Sequence, residues 1–271
     1  MRKNFKAICS QTICLAVCCL VIYLAFASTS CAQSQTRAQG QTPRDSSKEP
    51  SPVVSASPFS SHWQAGQVLT QAKVDSMGIA CCFRADTIDD MLFSRISGKS
   101  FPANCSVDRG ELRYLRLLHR NALGQIVTGE MICHQSIADD LLSIFRQLYD
   151  AAYPIERMVL IDDYDADDER SMTANNSSSF CFRTVAGSTK LSKHARGLAV
   201  DINTLYNPCV RLRRNGSPSI SPAAGRRYAD RRISSPYKIV EGDLCHRLFL
   251  QHGFIWGGSW NTVKDYQHFE K

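Results

Sequence analysis

The chain has 271 residues, 44% of them hydrophobic and 21% charged, with a formal charge of +7. That balance fits one globular domain of ordinary size plus additional segments, and by itself it excludes no class of function. Twelve cysteines suggest a disulfide framework, but no Cys-x-x-Cys occurs, which argues against a zinc ribbon or a thiol redox motif.

The chain opens with "MRKNFK", three cations and no acid, ahead of a mostly apolar run from Ala7 to Ala27 and the small, polar "STSCAQSQ". This is the layout of a secretory signal peptide of the lipoprotein type over residues 1–31, rather than a retained membrane span. Cys31 is then the lipid-bearing residue, with simple cleavage after Ala32 as the alternative. Arg2, Lys3 and Lys6 leave with the signal, so the formal charge falls from +7 to +4. Such a mild excess suits a polyanionic wall or a membrane surface and identifies neither.

Cys9, Cys14, Cys18 and Cys19 belong to the apolar run. The remaining seven cysteines, Cys81, Cys82, Cys105, Cys133, Cys181, Cys209 and Cys245, read as buried thiols with one or two bridges among them. Residues 32–61 are rich in Gln, Ser, Thr, Pro and charge, and they lack the large apolar side chains needed to offset chain entropy. They read as a flexible tether, which leaves residues 62–271 as the folded domain.

Within that domain, "RYLRLLHR" and "IVTGEMIC" flank the turn "NALGQ" and predict a hairpin. In "SIADDLLSIFRQLYDAAYP", Ile137, Leu141, Ile144, Leu148 and Ala152 recur at helical spacing, widened by Phe145. Ser136 with Asp139 is a cap-like start, and Pro154 is the stop. "ERMVLID" predicts a strand, and so does "SSFCFRTV", with Phe180 and Phe182 on one face and Cys181 and Arg183 on the other. "LAVDIN" predicts a strand with Val200 and Ile202 toward the core and Ala199 and Asp201 away from it. "GDLCHRLFLQHG" predicts a helix closed by Gly253. Strands and helices without regular βαβ alternation make this an α+β domain, a mainly antiparallel sheet packed by helices.

The chemistry-bearing residues lie in two places. "SKHARGLAVDIN" sets His194 seven residues before Asp201, with Gly197 to relax the turn and Ala199 to leave room on the same strand face. "WGGSWNTVKDYQHFEK" sets Asp265 three residues before His268, beside two tryptophans. His194, Asp201 and His268 make a two-histidine, one-carboxylate set suited to one Zn²⁺ ion, because a catalytic zinc takes three protein ligands and keeps one position open. Asp163, Asp165 and Asp167 imitate a calcium loop, but Asp168 stands where glycine is needed and Ala174 where the bidentate acid belongs. The segment from Arg211 to Arg232 carries seven arginines and one acid. Tyr228 is its only interleaved aromatic, so nucleic acid is set aside and a solvated loop or contact with anionic polymer or lipid remains. His62, His119, His134, His246 and His252 fit no motif and read as ordinary surface or helix histidines.

"SKHARGLAVDIN" followed by "NP", together with "WGGSW" and "DYQHFE", resembles the zinc D-alanyl-D-alanine carboxypeptidase and L-alanyl-D-glutamate peptidase family, which shares its fold with the hedgehog signalling domain. The block "DDYDADDERSMTANNSSSFCFR" resembles one branch of it, so the likeness runs over residues 162–270. The resemblance implies that His194, Asp201 and His268 bind zinc, that Asp265 is the general base, and that Ser192 and an arginine contact substrate. Arg183 is the first choice for that arginine and Arg170 its rival. It also puts the acidic block beside the active site, where its acids either bind a cationic peptide amine or form a solvated turn. The expected protein is a peptidase acting on peptidoglycan stem peptides in the bacterial envelope, at the periplasm or outer surface and lipid-anchored at Cys31. It needs no nucleic acid and no obligate protein partner. A non-catalytic zinc-containing binding module on the same fold is the alternative.

Overall fold

A computed structural model describes residues 63–185 and 187–271. The expected signal peptide, Cys31, the tether and His62 lie outside the described residues. In chain order the elements are β1 (Val68–Leu69), α1 (Gln71–Met77), β2 (Arg84–Thr87), α2 (Asp90–Ile96), β3 (Leu112–Arg120), β4 (Ile126–His134) and α3 (Gln135–Asp150). There follow α4 (Asp168–Thr173), β5 (Ala199–Asp201), β6 (Cys209–Leu212), β7 (Pro218–Ser221), α5 (Leu244–Gln251), β8 (Ile255–Trp256), β9 (Val263–Asp265) and β10 (His268–Glu270). Among the described residues no helix is long and apolar enough to cross a membrane.

The α+β class holds, with three antiparallel sheets in place of one: β1-β4-β3-β2, β5-β10-β8 and β7-β6-β9. The β3–β4 hairpin pairs from Leu112↔His134 to Arg120↔Ile126. Its turn closes because Asn121 Oδ1 accepts from both Leu123 N and Gln125 N, and Gly124 supplies φ +74. Strand alternation sends most of the hairpin's apolar side chains to two clusters, with Leu118 and Ile126 in a third. Leu115, Leu117, Met131 and Cys133 face Ile137, Leu141, Ile144, Phe145 and Leu148 of α3. Leu112, Tyr114 and Ile132 face Ile88, Ile96, Leu160 and Phe180.

The α3 stripe is as its spacing predicts, but its ends are not. His134 is the N-cap, its Nδ1 accepting from Ser136 N at 3.1 Å, and the helix stops at Asp150, leaving Ala152 in a turn at φ 52. "ERMVLID" forms no strand. Asn176 takes Val159 N on Oδ1 and donates to Val159 O, Ser177 N donates to Arg157 O, and Glu130 N donates to Met158 O. The Asn176 side chain and scattered backbone bonds thus substitute for a ladder partner. "SSFCFRTV" is also extended without joining a sheet. Phe180 N and Phe182 N donate to Ile132 O and Ser100 O, while Cys181 N donates to His194 O. Phe180 and Phe182 do share one apolar cluster, as their alternation predicts.

The seven described cysteines are all free, so the bridges expected among them do not form. His119 is neither a surface nor a helix residue. It is buried on β3, bonded through Nδ1 to Ile155 O at 2.7 Å, and burial holds its imidazole down to about 4.

The same core that covers α3 also anchors the second sheet. Val200 and Ile202 of the β5 region, Trp256 of β8, Phe269 of β10 and Phe249 of α5 are all buried in it, and the Phe249 and Phe269 rings stack with centroids 4.2 Å apart. With one face of β5 and β10 fixed in this way, the side chains on the opposite face are held where strand periodicity puts them.

Candidate metal centre

Three polar side chains converge on that opposite face. His268 of β10 is the cross-strand partner of Asp201 of β5, and its Nδ1 lies 3.0 Å from Asp201 Oδ1. His194 enters from a 3₁₀ turn over His194–Arg196, with Nε2 3.2 Å from Asp201 Oδ2 and 3.1 Å from His268 Nδ1. One ligand atom from each residue lies within 4.8 Å of the others, and all three residues are buried. The turn needs Gly197, which sits at φ +65 with its Cα so close to β4 that an added Cβ would lie 2.6 Å from His134 N.

The hydrogen bonds on the outer edges of the rings fix what the inner edges can do. His194 Nδ1 lies 2.6 Å from Ser179 O, a pure acceptor, so Nδ1 carries the proton and Nε2 presents a lone pair. His268 Nε2 lies 3.2 Å from Glu270 Oε2 and donates to it, which leaves Nδ1 as the lone pair facing inward. Two bare ring nitrogens cannot bond each other, so a proton or a metal cation belongs between them. A carboxylate or carbonyl behind each ligating imidazole is the usual support of a metal site.

Burial by itself would lower the His268 imidazolium, but the bonds to Asp201 and Glu270 and the charges of Asp201 and Asp265 carry it up to about 10. Burial likewise opposes the Asp201 charge, yet His194 and His268 hold that carboxyl well below the usual carboxylate range. The cluster is built to hold positive charge.

A cavity of about 790 Å³ opens over the triad, lined among others by Asp168, Arg183, Ser192, Trp260 and Asp265. Asp265 ends β9 opposite Cys209 of β6, whose thiol hydrogen-bonds its carboxyl. Its Oδ1 has no partner among the described residues, and burial, opposed by the His268 charge, pushes the carboxyl up to about 6. A buried acid titrating near neutrality beside a metal site suits proton transfer.

Of the two arginines, Arg183 lines the cavity. Its Nε lies 2.5 Å from Asp168 Oδ2 in an orientation poor for a hydrogen bond, so the contact is ionic. Arg170 instead pairs with exposed Asp165 at 3.0 Å. Ser192 Oγ accepts from His194 N at 3.2 Å, which leaves its O–H free to donate into the cavity.

In the acidic block, Asp163 is held by Arg95, Asp165 by Lys99 and Arg170, and Asp162 by Ser100. Asp167 caps α4. Only Asp168 and Glu169 of this run reach the cavity, and Glu169 is engaged by Ala223 N at 2.6 Å. Sequence reasoning passed over Glu270, although its two-residue spacing from His268 on one strand puts both on one face. It had no means of pairing Cys209 with Asp265, because that depends on sheet register.

A family model described as D-alanyl-D-alanine carboxypeptidase matches residues 186–271, a span that contains the triad and Asp265 but not the upstream acidic block. No curated protein and no solved structure matches the chain. The α+β arrangement of antiparallel sheets packed by helices fits that family's fold. With the buried His194–Asp201–His268 triad at its centre, the matched part of the chain is similar to the D-alanyl-D-alanine carboxypeptidase family, and the protein is a metallopeptidase.

Proposed function

We propose that the protein is a zinc-dependent peptidase of the bacterial envelope that hydrolyses peptide bonds in peptidoglycan stem peptides, as a D,D-carboxypeptidase or an L-alanyl-D-glutamate peptidase. The observation that carries this reading is the convergence of two inward-facing imidazole lone pairs and one carboxylate on the cavity that also holds Asp265 and Arg183. Two histidines and a carboxylate are a donor set of catalytic zinc peptidases. Zinc held there supplies Lewis acidity to the scissile carbonyl and to the attacking water.

The chain's own groups supply the remaining steps. Asp265, as carboxylate, takes the proton of the attacking water through its unpartnered Oδ1 and delivers it to the leaving amine. Arg183, kept oriented by Asp168, holds the charge of a terminal carboxylate or of the developing oxyanion. Ser192 donates its O–H to the substrate backbone, and the Trp260 ring, 5.3 Å from that of His268, limits water on the open side. The signal over residues 1–31, lipid on Cys31 and the tether over residues 32–61 would hold this domain at the envelope surface, within reach of its substrate.

The test is digestion of a varied set of purified muropeptides by the zinc-loaded protein, read by mass spectrometry, with chelator and Asp265→Ala controls. Loss of a terminal D-alanine or release at L-Ala-D-Glu is expected. Absence of any cleavage by the wild type would sink the reading.

A further inference from the structure

A second cavity, about 390 Å³, adjoins the catalytic one and shares Lys190, Leu191, Ser192 and Lys193 with it; Arg196 completes its wall. Three of its five lining residues are cations and none is an acid. Lys193 and Arg196 bracket the 3₁₀ turn that carries His194, and residues three apart on such a turn eclipse, so both side chains project from one side. Lys190, Lys193 and Arg196 are all exposed, whereas Ser192 between them is buried.

These charges are poorly matched within the chain. Lys193 Nζ donates only to Lys271 O, at 3.1 Å. Among the described residues, neither Lys190 Nζ nor the Arg196 guanidinium has a hydrogen-bond or ion-pair partner. Glu270, which senses the Lys193 charge, is held by His268 Nε2 and lines the catalytic cavity rather than this one. Three like charges gathered around one concavity repel each other until an anion enters it.

We infer that Lys190, Lys193 and Arg196 form an anion subsite that takes a free carboxylate of an acidic peptide substrate while its scissile bond lies over the triad. The shared wall makes the two occupants parts of one molecule, since Ser192 and Lys193 face both cavities. The inference rests on the peptidase reading only for the identity of that molecule. The subsite acts through binding, so it sets KM and leaves the chemistry of the bound peptide alone.

The experiment uses a matched pair of synthetic stem peptides that differ only in one carboxylate, away from the scissile bond, converted to carboxamide. Hydrolysis is measured with the zinc-loaded protein, and equilibrium binding with its Asp265→Asn form. Wild type is expected to favour the carboxylate form by about 5- to 10-fold in KM and in affinity, the scale of two or three solvent-exposed charge contacts. Lys190→Gln combined with Arg196→Gln should erase the preference, and raising salt should erode it in wild type. Equal affinity for the two peptides in wild type, or a preference that survives the double substitution, overturns the subsite. If inorganic phosphate competes in wild type and not in the double variant while the peptide pair binds equally, the pocket is a phosphate site and the inference falls. Tighter binding of the carboxylate peptide with no cleavage of either would remove the peptidase reading and leave the subsite standing.

Discussion

His194 Nε2 and His268 Nδ1 face each other at 3.1 Å across the Asp201 carboxylate, each ring turned by an acceptor on its far side, Ser179 O for one and Glu270 for the other. The arrangement predicts a metal-dependent rise in stability. A cation that binds the folded state alone at 1,000 times its Kd adds about 4 kcal/mol. Added Zn²⁺ should therefore raise the melting temperature of chelator-treated wild type by several degrees. Neither His194→Ala nor a chain truncated before His268 should respond, and an undiminished shift in either would contradict the ligand set.

Glu270 should tune that site without forming it. Glu270→Gln keeps an acceptor for His268 Nε2 but removes the charge, so zinc affinity should fall by about 10- to 100-fold, the usual cost of altering the partner behind a ligating histidine. Competition with a chromogenic chelator measures it. An unchanged affinity would show that the Glu270 contact is incidental.

Asp265 should govern the acid limb of activity. The carboxyl works as a base only when ionised, and burial raises its pKa to about 6, so kcat/KM should fall as pH drops through that region and be full above it. A cation in the triad favours the ionised form, which keeps the limb of the loaded enzyme at or below about 6. Asp265→Asn should lower kcat by about 10²- to 10⁴-fold with zinc binding retained. A variant that keeps both its rate and its acid limb would move the base elsewhere.

How much of this was legible in the sequence depended on the range of the interactions. Val200 and Ile202 against Ala199 and Asp201 followed from strand periodicity alone, and the α3 stripe from helical spacing. "ERMVLID" misled because Met158, Leu160 and Ile161 are indeed buried, while the backbone partners that decide strand against loop are the Asn176 amide and Ser177 N, about twenty residues away. His134 displaced Ser136 as the cap because the helix begins directly at the end of β4, leaving no loop for a separate cap residue. The metal ligands were readable because each lies in a short local motif. The Cys209–Asp265 pair was not, since it depends on how distant segments register.

The two arginines give a sharp contrast. Arg183→Ala removes a guanidinium from the cavity and leaves Asp168 without its counter-charge, so kcat should drop about 10²- to 10³-fold with zinc affinity unchanged. Arg170→Ala loses an exposed pair with Asp165 and a long bond to Tyr164 O, together worth at most about 1 kcal/mol, and should leave activity as it is. Steady-state kinetics on one muropeptide separates the two, and the opposite ranking would make Arg170 the substrate-binding arginine.

Gly257 should prove as sensitive as any ligand, although it carries no side chain. It lies in the 3₁₀ turn Gly257–Ser259 between β8 and β9, and a Cβ there would sit 2.7 Å from Asp265 O, 2.9 Å from Asp265 Cβ and 3.3 Å from His268 Cβ. All three contacts are with backbone or Cβ atoms, and β10 is pinned by Phe269 in the core whereas no residue of β9 lies in it, so relief must come from moving β9 away from the turn. Overpacking of this kind typically costs about 1–3 kcal/mol, which a folded domain can survive. Because β9 carries the base and β10 a ligand, Gly257→Ala should weaken zinc binding and cut kcat together while circular dichroism stays native. Gly187→Ala, at φ +74 but with nothing within 4 Å of the added methyl, is the control that strains the backbone without crowding a neighbour. Full activity in Gly257→Ala would mean that the turn, rather than β9, yields to the methyl group.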